Sequence, residues 1–124
     1  MLDFNNLRKL SGGLVALSLL VASAPARAAD YVPIDCSKAS LPAERAICRS
    51  YPLGQAEARM ATMFGIVTSL VAMGQRGDIG DAQRKWLKDR DACGDDSTCI
   101  ARAYQSRIAV LSATLDAVAS HGPF

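Results

Sequence analysis

Residues 83–93 read QRKWLKDRDAC and place the chain's only tryptophan, Trp86, among six charged side chains. A large apolar ring in so polar a stretch needs a neighbour to cover it, and the spacing around it says where that neighbour lies. Ile79, Ala82, Trp86 and Cys93 are separated by three, four and seven residues, the period of one helix face. Arg84, Lys85, Lys88, Asp89 and Asp91 then point to other sides, and the steps from Asp81 to Lys85 and from Lys85 to Asp89 are those of helical ion pairs. Gln83 and Arg90 flank the ring at minus three and plus four. From there they can stack on it, cap carbonyls, or pair with an acid at the edge of the core. The stretch therefore predicts a short helix anchored by Trp86 and wet on its remaining sides.

Working outward gives more helices. Gly94, Asp95, Asp96, Ser97 and Thr98 form a tight turn in which Asp96 or Ser97 can cap a following helix. In that helix Ile100, Ala103, Tyr104, Ile108, Leu111, Leu115 and Val118 share one face over about five turns. On the other side, apolar residues at 53, 56, 60, 63, 64, 67, 70 and 71 predict a long helix running to about Met73, with glycines 74 and 77 marking its end. Gly65 inside it is either a close-packing position or a tolerated weak spot costing about 1 kcal/mol relative to alanine. A shorter helix spans residues 43–48, with Ser40 available as its cap and Pro42 in its first turn. Residues 29–34 contain Pro33, show no periodicity and read as an extended lead-in. No segment alternates with period two. The pattern predicts an all-α domain, a small bundle of about four helices, two long and two short.

The N-terminus bears on the compartment. Arg8 and Lys9 precede an apolar run at residues 14–24, followed by Ala26, Arg27 and Ala28 in the small-x-small pattern of a signal-peptidase site. A spanning helix needs roughly 20 apolar residues, so residues 1–28 are expected to be a cleaved signal peptide, and residues 29–124 a single domain in the periplasm or outside the cell. Val-Pro-Ile-Asp before Cys36 does not resemble a lipidation signal. Of the 14 bases and 12 acids, Arg8, Lys9, Arg27 and Asp3 fall in the signal, which leaves 11 of each. Such a balance gives no electrostatic footprint for nucleic acid or for an anionic membrane.

A domain of about 96 residues is near the size at which a core alone gives marginal stability. Cys36, Cys48, Cys93 and Cys99 are an even set in an exported chain and allow three pairings. Pairing Cys36 with Cys48 and Cys93 with Cys99 is favoured, because each pair brackets one short segment with turn or helix-breaking residues inside it. Such loops are credited with about 2 to 3 kcal/mol each. No cysteine pair has zinc spacing, and the single histidine, His121, sits beside Gly122 and Pro123. No metal, cofactor or catalytic constellation is predicted, since a nucleophilic cysteine would need an activating base.

Together, Cys36, the run Ala43-Glu44-Arg45-Ala46-Ile47-Cys48, the long helix from Leu53, Gln83-Arg84-x-Trp86-Leu87-x-x-Arg90-Asp91-x-Cys93, then Cys99 and Tyr104-x-x-Arg107-Ile108-x-x-Leu111 closely resemble the exported lysozyme-inhibitor LprI-like family. The likeness runs from about Cys36 to Leu115. It departs at Glu57 and Phe64, where that family commonly has aspartate and tyrosine, and residues 73–81 are less familiar. The resemblance implies a small, helical, disulfide-bearing protein of the bacterial envelope that inhibits lysozyme.

Inhibition would mean blocking a cleft that works with two carboxylates. Arg84, Lys85 and Lys88 on the third helix and Arg76 in the glycine-rich stretch are candidate donors to those acids. Asp95 and Asp96, in the cystine-bounded turn, suit a cationic patch on the partner. Gln83, Trp86, Arg90, Asp91 and Tyr104 are expected to act structurally, filling the core and joining the helices. The competing reading is a helical envelope module that binds or supports some partner without inhibiting anything.

Overall fold

Pro42 starts the first helix, α1 (Pro42–Arg49), in a computed structural model that describes residues 31–121. The residues expected to form the signal peptide lie outside that range. α1 is capped from within. The Glu44 carboxylate accepts the backbone N–H groups of Ser40 and Leu41 at 2.9 and 3.1 Å, so the cap expected from the Ser40 side chain is supplied by Glu44. These bonds hold the Glu44 carboxyl below the usual carboxylate range.

Ser50 then caps α2 (Tyr51–Leu70), its hydroxyl accepting from the Leu53 N–H at 3.4 Å. α2 stops before the glycines. Val71 and Ala72 take extended dihedrals, with ψ of 158° at both, and α3 (Met73–Asp91) starts at once and runs straight through Gly74, Gly77 and Gly80. The break expected at residues 74–78 is thus displaced, and the third helix has 19 residues rather than being short. Tertiary packing outweighs the poor helix propensity of glycine. Ile79, Gly80 and Gln83 continue the buried face of Trp86 toward the N-terminus, and Val71, 7% exposed, is held in the core at the bend. Gly65 has open space around it, so it is the tolerated weak spot and not a close-packing site.

Gly94, at φ +59°, supplies the left-handed residue in the turn after α3. Asp96 caps α4 (Ser97–Ser120) by accepting from the Cys99 N–H at 3.0 Å. The four-helix, all-α architecture is therefore as expected, with no strand among the described residues, but three of its helices are long.

Side-chain pairings set the directions. Glu57 meets Tyr104, Met60 meets Gln83, Gln83 meets Arg107 and Trp86 meets Ala103. α2 and α4 consequently run parallel, with α3 antiparallel to both, and α1 closes the end where α2 and α4 begin. Both disulfides, Cys36–Cys48 and Cys93–Cys99, staple that end. The core is built from Ala43, Ile47, Leu53, Met60, Phe64, Trp86, Ile100, Tyr104 and Leu111.

Candidate functional site

Trp86 is 8% exposed, and its position is held on three sides. The indole N–H donates to the Ala103 carbonyl of α4 at 2.9 Å. The Tyr104 ring meets it edge-on at 5.2 Å, a favoured aromatic geometry. The Arg90 guanidinium lies over its face at 5.6 Å, a cation–π contact. Within the charged stretch, the buried face is Gln83, Trp86 and Arg90, while Ala82, expected on the apolar stripe, is exposed.

Glu57 is the hub of the interior. It is 6% exposed on α2, one turn from both Leu53 and Met60. Oε1 accepts from the Tyr31 hydroxyl at 2.5 Å and the Ile34 N–H at 3.2 Å, and Oε2 accepts from the Tyr104 hydroxyl at 2.6 Å. Arg90 Nη1 is 3.9 Å from Oε2, and Arg90 also forks onto Asp91 Oδ1 through Nε and Nη2 at 2.9 and 2.6 Å. Burial works against the Arg90 charge, but Asp91 and Tyr104 together outweigh it and leave the guanidinium firmly protonated. Burial first, and the bonds to Glu57 second, push the Tyr31 and Tyr104 phenols well above their ordinary range. Both stay neutral donors.

A second interior pairing lies one turn up the bundle. Arg107, 6% exposed, donates from Nε to Gln83 Oε1 at 2.7 Å and from Nη2 to the Ile79 carbonyl at 3.2 Å. Gln83 in turn points its amide at the Met60 sulfur, 3.2 Å away. Burial lowers the Arg107 pKa, and neutral acceptors alone stabilise its charge.

Sequence periodicity did not single out Glu57, Tyr31 or Arg107 as interior polar groups. For Glu57 the signal was its spacing from Leu53 and Met60, which its charge obscured.

Most of the remaining predicted residues are on the outside. Arg84 pairs with Asp81, taking the acid expected for Lys85, and Lys85 pairs with Asp89 at 2.8 Å. Arg76 turns inward, with Nη2 3.5 Å from the Val71 carbonyl. Lys88 is exposed, as is Asp95, and Asp96 serves as the α4 cap. The structure spreads these residues along α3 and its following turn and does not gather them into one cluster.

Among the described residues no group of histidine, cysteine, aspartate and glutamate is arranged to hold a metal. No described helix is long and apolar enough to cross a membrane. All four cysteines are paired, which is consistent with an extracytoplasmic protein.

With this geometry in view, one likeness stands out. The chain is similar to mycobacterial Lipoprotein LprI. It is 27% identical over 104 residues to that protein in Mycobacterium tuberculosis (strain H37Rv) and in Mycobacterium bovis, over 79% of this chain and 51% of theirs. The chain thus spans about half the length of the curated relatives it matches. No family model matches the chain, and no solved structure does.

Proposed function

We propose that the protein is an exported inhibitor that binds a lysozyme-type muramidase by protein–protein contact and blocks its cleft, with no chemistry of its own. The observation that carries this reading is the inward aim of the reactive side chains. Glu57, Arg90, Tyr104 and Arg107 are buried and bonded to one another or to the backbone, and the cysteines are locked in disulfides. Such a molecule is a stiff scaffold whose available asset is its surface. The LprI-like signature around Trp86 and the similarity to LprI support a muramidase as the target.

In this account residues 1–28 direct export and are removed, and the domain acts in the periplasm or beyond it. The relatives are lipoproteins by name. Here every cysteine of the sequence is used in a disulfide, and we place the protein as a released, unlipidated form. The target cleft works with two carboxylates, so a rigid element offering cations and an aromatic group has the complementary chemistry.

The test mixes oxidised protein recovered from the periplasm with chicken-type, goose-type and invertebrate-type lysozymes. Co-elution with one class on a sizing column, with loss of cell-wall lysis, is expected. A folded, fully oxidised sample that co-elutes with none and slows none would instead make the protein an envelope binding module.

A further inference from the structure

Charge is unevenly distributed along the chain. Residues 78–96 carry six acids and four bases, and on the outside of α3 these pair off as Arg84 with Asp81 and Lys85 with Asp89. Residues 45–77 carry four bases and a single acid, Glu57, which is buried and bonded to Tyr31 and Tyr104. The outer side of the α1–α2 corner therefore presents positive charge, since the one carboxylate of α1, Glu44, is engaged by the Ser40 and Leu41 N–H groups at the opposite end of that helix.

On that side Tyr51, Gln55 and Arg59 are four residues apart and form a line along the exposed face of α2. Tyr51 is 79% exposed, so its ring is open to a partner. A groove of about 540 Å³, floored by Ile34, Ile47 and the Cys36–Cys48 disulfide, runs along one side of the line with Arg49 at its edge. A second groove of about 350 Å³, between Leu53 and Ala56 of α2 and Ala101 and Ile108 of α4, runs along the other with Arg59 at its edge. Gln55 lines both. Arg49 and Arg59 make no ion pair or side-chain hydrogen bond among the described residues.

We infer that this ridge, Tyr51, Gln55 and Arg59 with Arg49 beside it, is the surface that enters the carboxylate-bearing cleft of the muramidase; the inference rests on the inhibitor reading above. Its cations match the acids of a glycosidase site, and guanidinium groups form forked bonds to carboxylates. Tyrosine and arginine are the residue types that dominate binding hot spots. The Tyr51 ring suits the walls that hold a sugar ring, and the two grooves receive the lips of the cleft. The ridge is already ordered, because Ser50 caps α2 under it and the Cys36–Cys48 disulfide ties α1 to the lead-in segment, so docking immobilises little. The α3 face offers less, since neighbouring acids neutralise Arg84 and Lys85.

The test measures inhibition of the three lysozyme classes by the oxidised wild-type protein recovered from the periplasm and by Arg59→Glu, the double variant Arg49→Glu/Arg59→Glu, Tyr51→Ala and the control Arg84→Glu/Lys88→Glu. All the substituted side chains are exposed, and circular dichroism and thermal unfolding check that each variant is folded. The expected result is weakening on the order of 100-fold for the double reversal and roughly 10-fold for Tyr51→Ala, with Arg59→Glu intermediate and the control within about threefold of wild type. Wild-type potency in the ridge variants alongside loss in the α3 control would overturn the ridge and leave the inhibitor reading standing. Wild-type protein inactive against all three classes would overturn both.

Discussion

Glu57 and Tyr104 are 47 residues apart in the chain, and their side chains meet at 2.6 Å in the centre of the bundle. The same carboxylate accepts from Tyr31 at 2.5 Å and lies 3.9 Å from Arg90. One acid thus joins α2, α3, α4 and the N-terminal lead-in. Removing it would leave two phenols without their acceptor and Arg90 with only Asp91 and the Tyr104 hydroxyl.

Glu57→Leu is expected to destabilise the fold by about 3 to 5 kcal/mol, the range for breaking a buried ion pair on one side. Tyr104→Phe, which removes a single donor to the charged group, is expected to cost about 1 to 3 kcal/mol. Urea unfolding followed by circular dichroism measures both. A wild-type midpoint for Glu57→Leu would remove the carboxylate from its place at the junction.

The same network sets the alkaline limit of stability. Tyr31 and Tyr104 have phenol pKa values raised by burial and by Glu57, whereas in the unfolded chain they ionise near pH 10. Above about pH 10 the unfolded state loses protons that the folded state keeps, so stability is full below that pH and falls as pH rises through it. Unfolding midpoints across this range should decline in wild type, and the decline should be shallower in Tyr104→Phe. Phenolate absorbance should appear together with unfolding for the two buried phenols. Their full ionisation in a still-folded protein would contradict the burial described.

Two glycines should respond in opposite directions. Gly65 is helical, exposed and without neighbours within 4 Å, so Gly65→Ala is expected to stabilise by about 0.5 to 1 kcal/mol. Gly94 sits at φ +59° in the cystine-bounded turn, where Gly94→Ala introduces left-handed strain of about 1 to 2 kcal/mol. Thermal unfolding of the two variants should bracket the wild-type Tm.

Replacing Cys36 and Cys48, or Cys93 and Cys99, by serine should cost about 2 to 3 kcal/mol in each case. Removal of both disulfides from a domain of this size should leave little folded protein at body temperature. The loss is measurable by denaturant titration with and without reductant. Unchanged stability on full reduction would mean that the helical core suffices without its staples.

Much of this architecture is legible in the residues. The apolar spacing of α2 and α4, the turn at Gly94 with its Asp96 cap, and the short spans between cysteines mark the helices and their staples directly. The bend at Val71 and Ala72 was hidden because neither residue is a breaker, while Gly74 and Gly77, the two glycines that look like a break, are carried along by the packing of Ile79 and Gln83. Trp86, Arg90 and Tyr104 were visible as one signature, but the acid that unites them was not. Glu57 has the spacing of a core residue and the charge of a surface one, and no local rule resolves that conflict without knowing that two phenols and a guanidinium converge on it. The Tyr51 ridge was less visible still, since hydrophobic periodicity describes the face a helix buries and is silent about the face it offers to a partner.

The most direct measurement is a titration of the oxidised protein into a fixed amount of each lysozyme, with the rate of cell-wall lysis as the readout. For one class the rate is expected to fall in proportion to added protein and to reach its floor near one equivalent. An undiminished rate at large molar excess for every class would contradict the proposed inhibition.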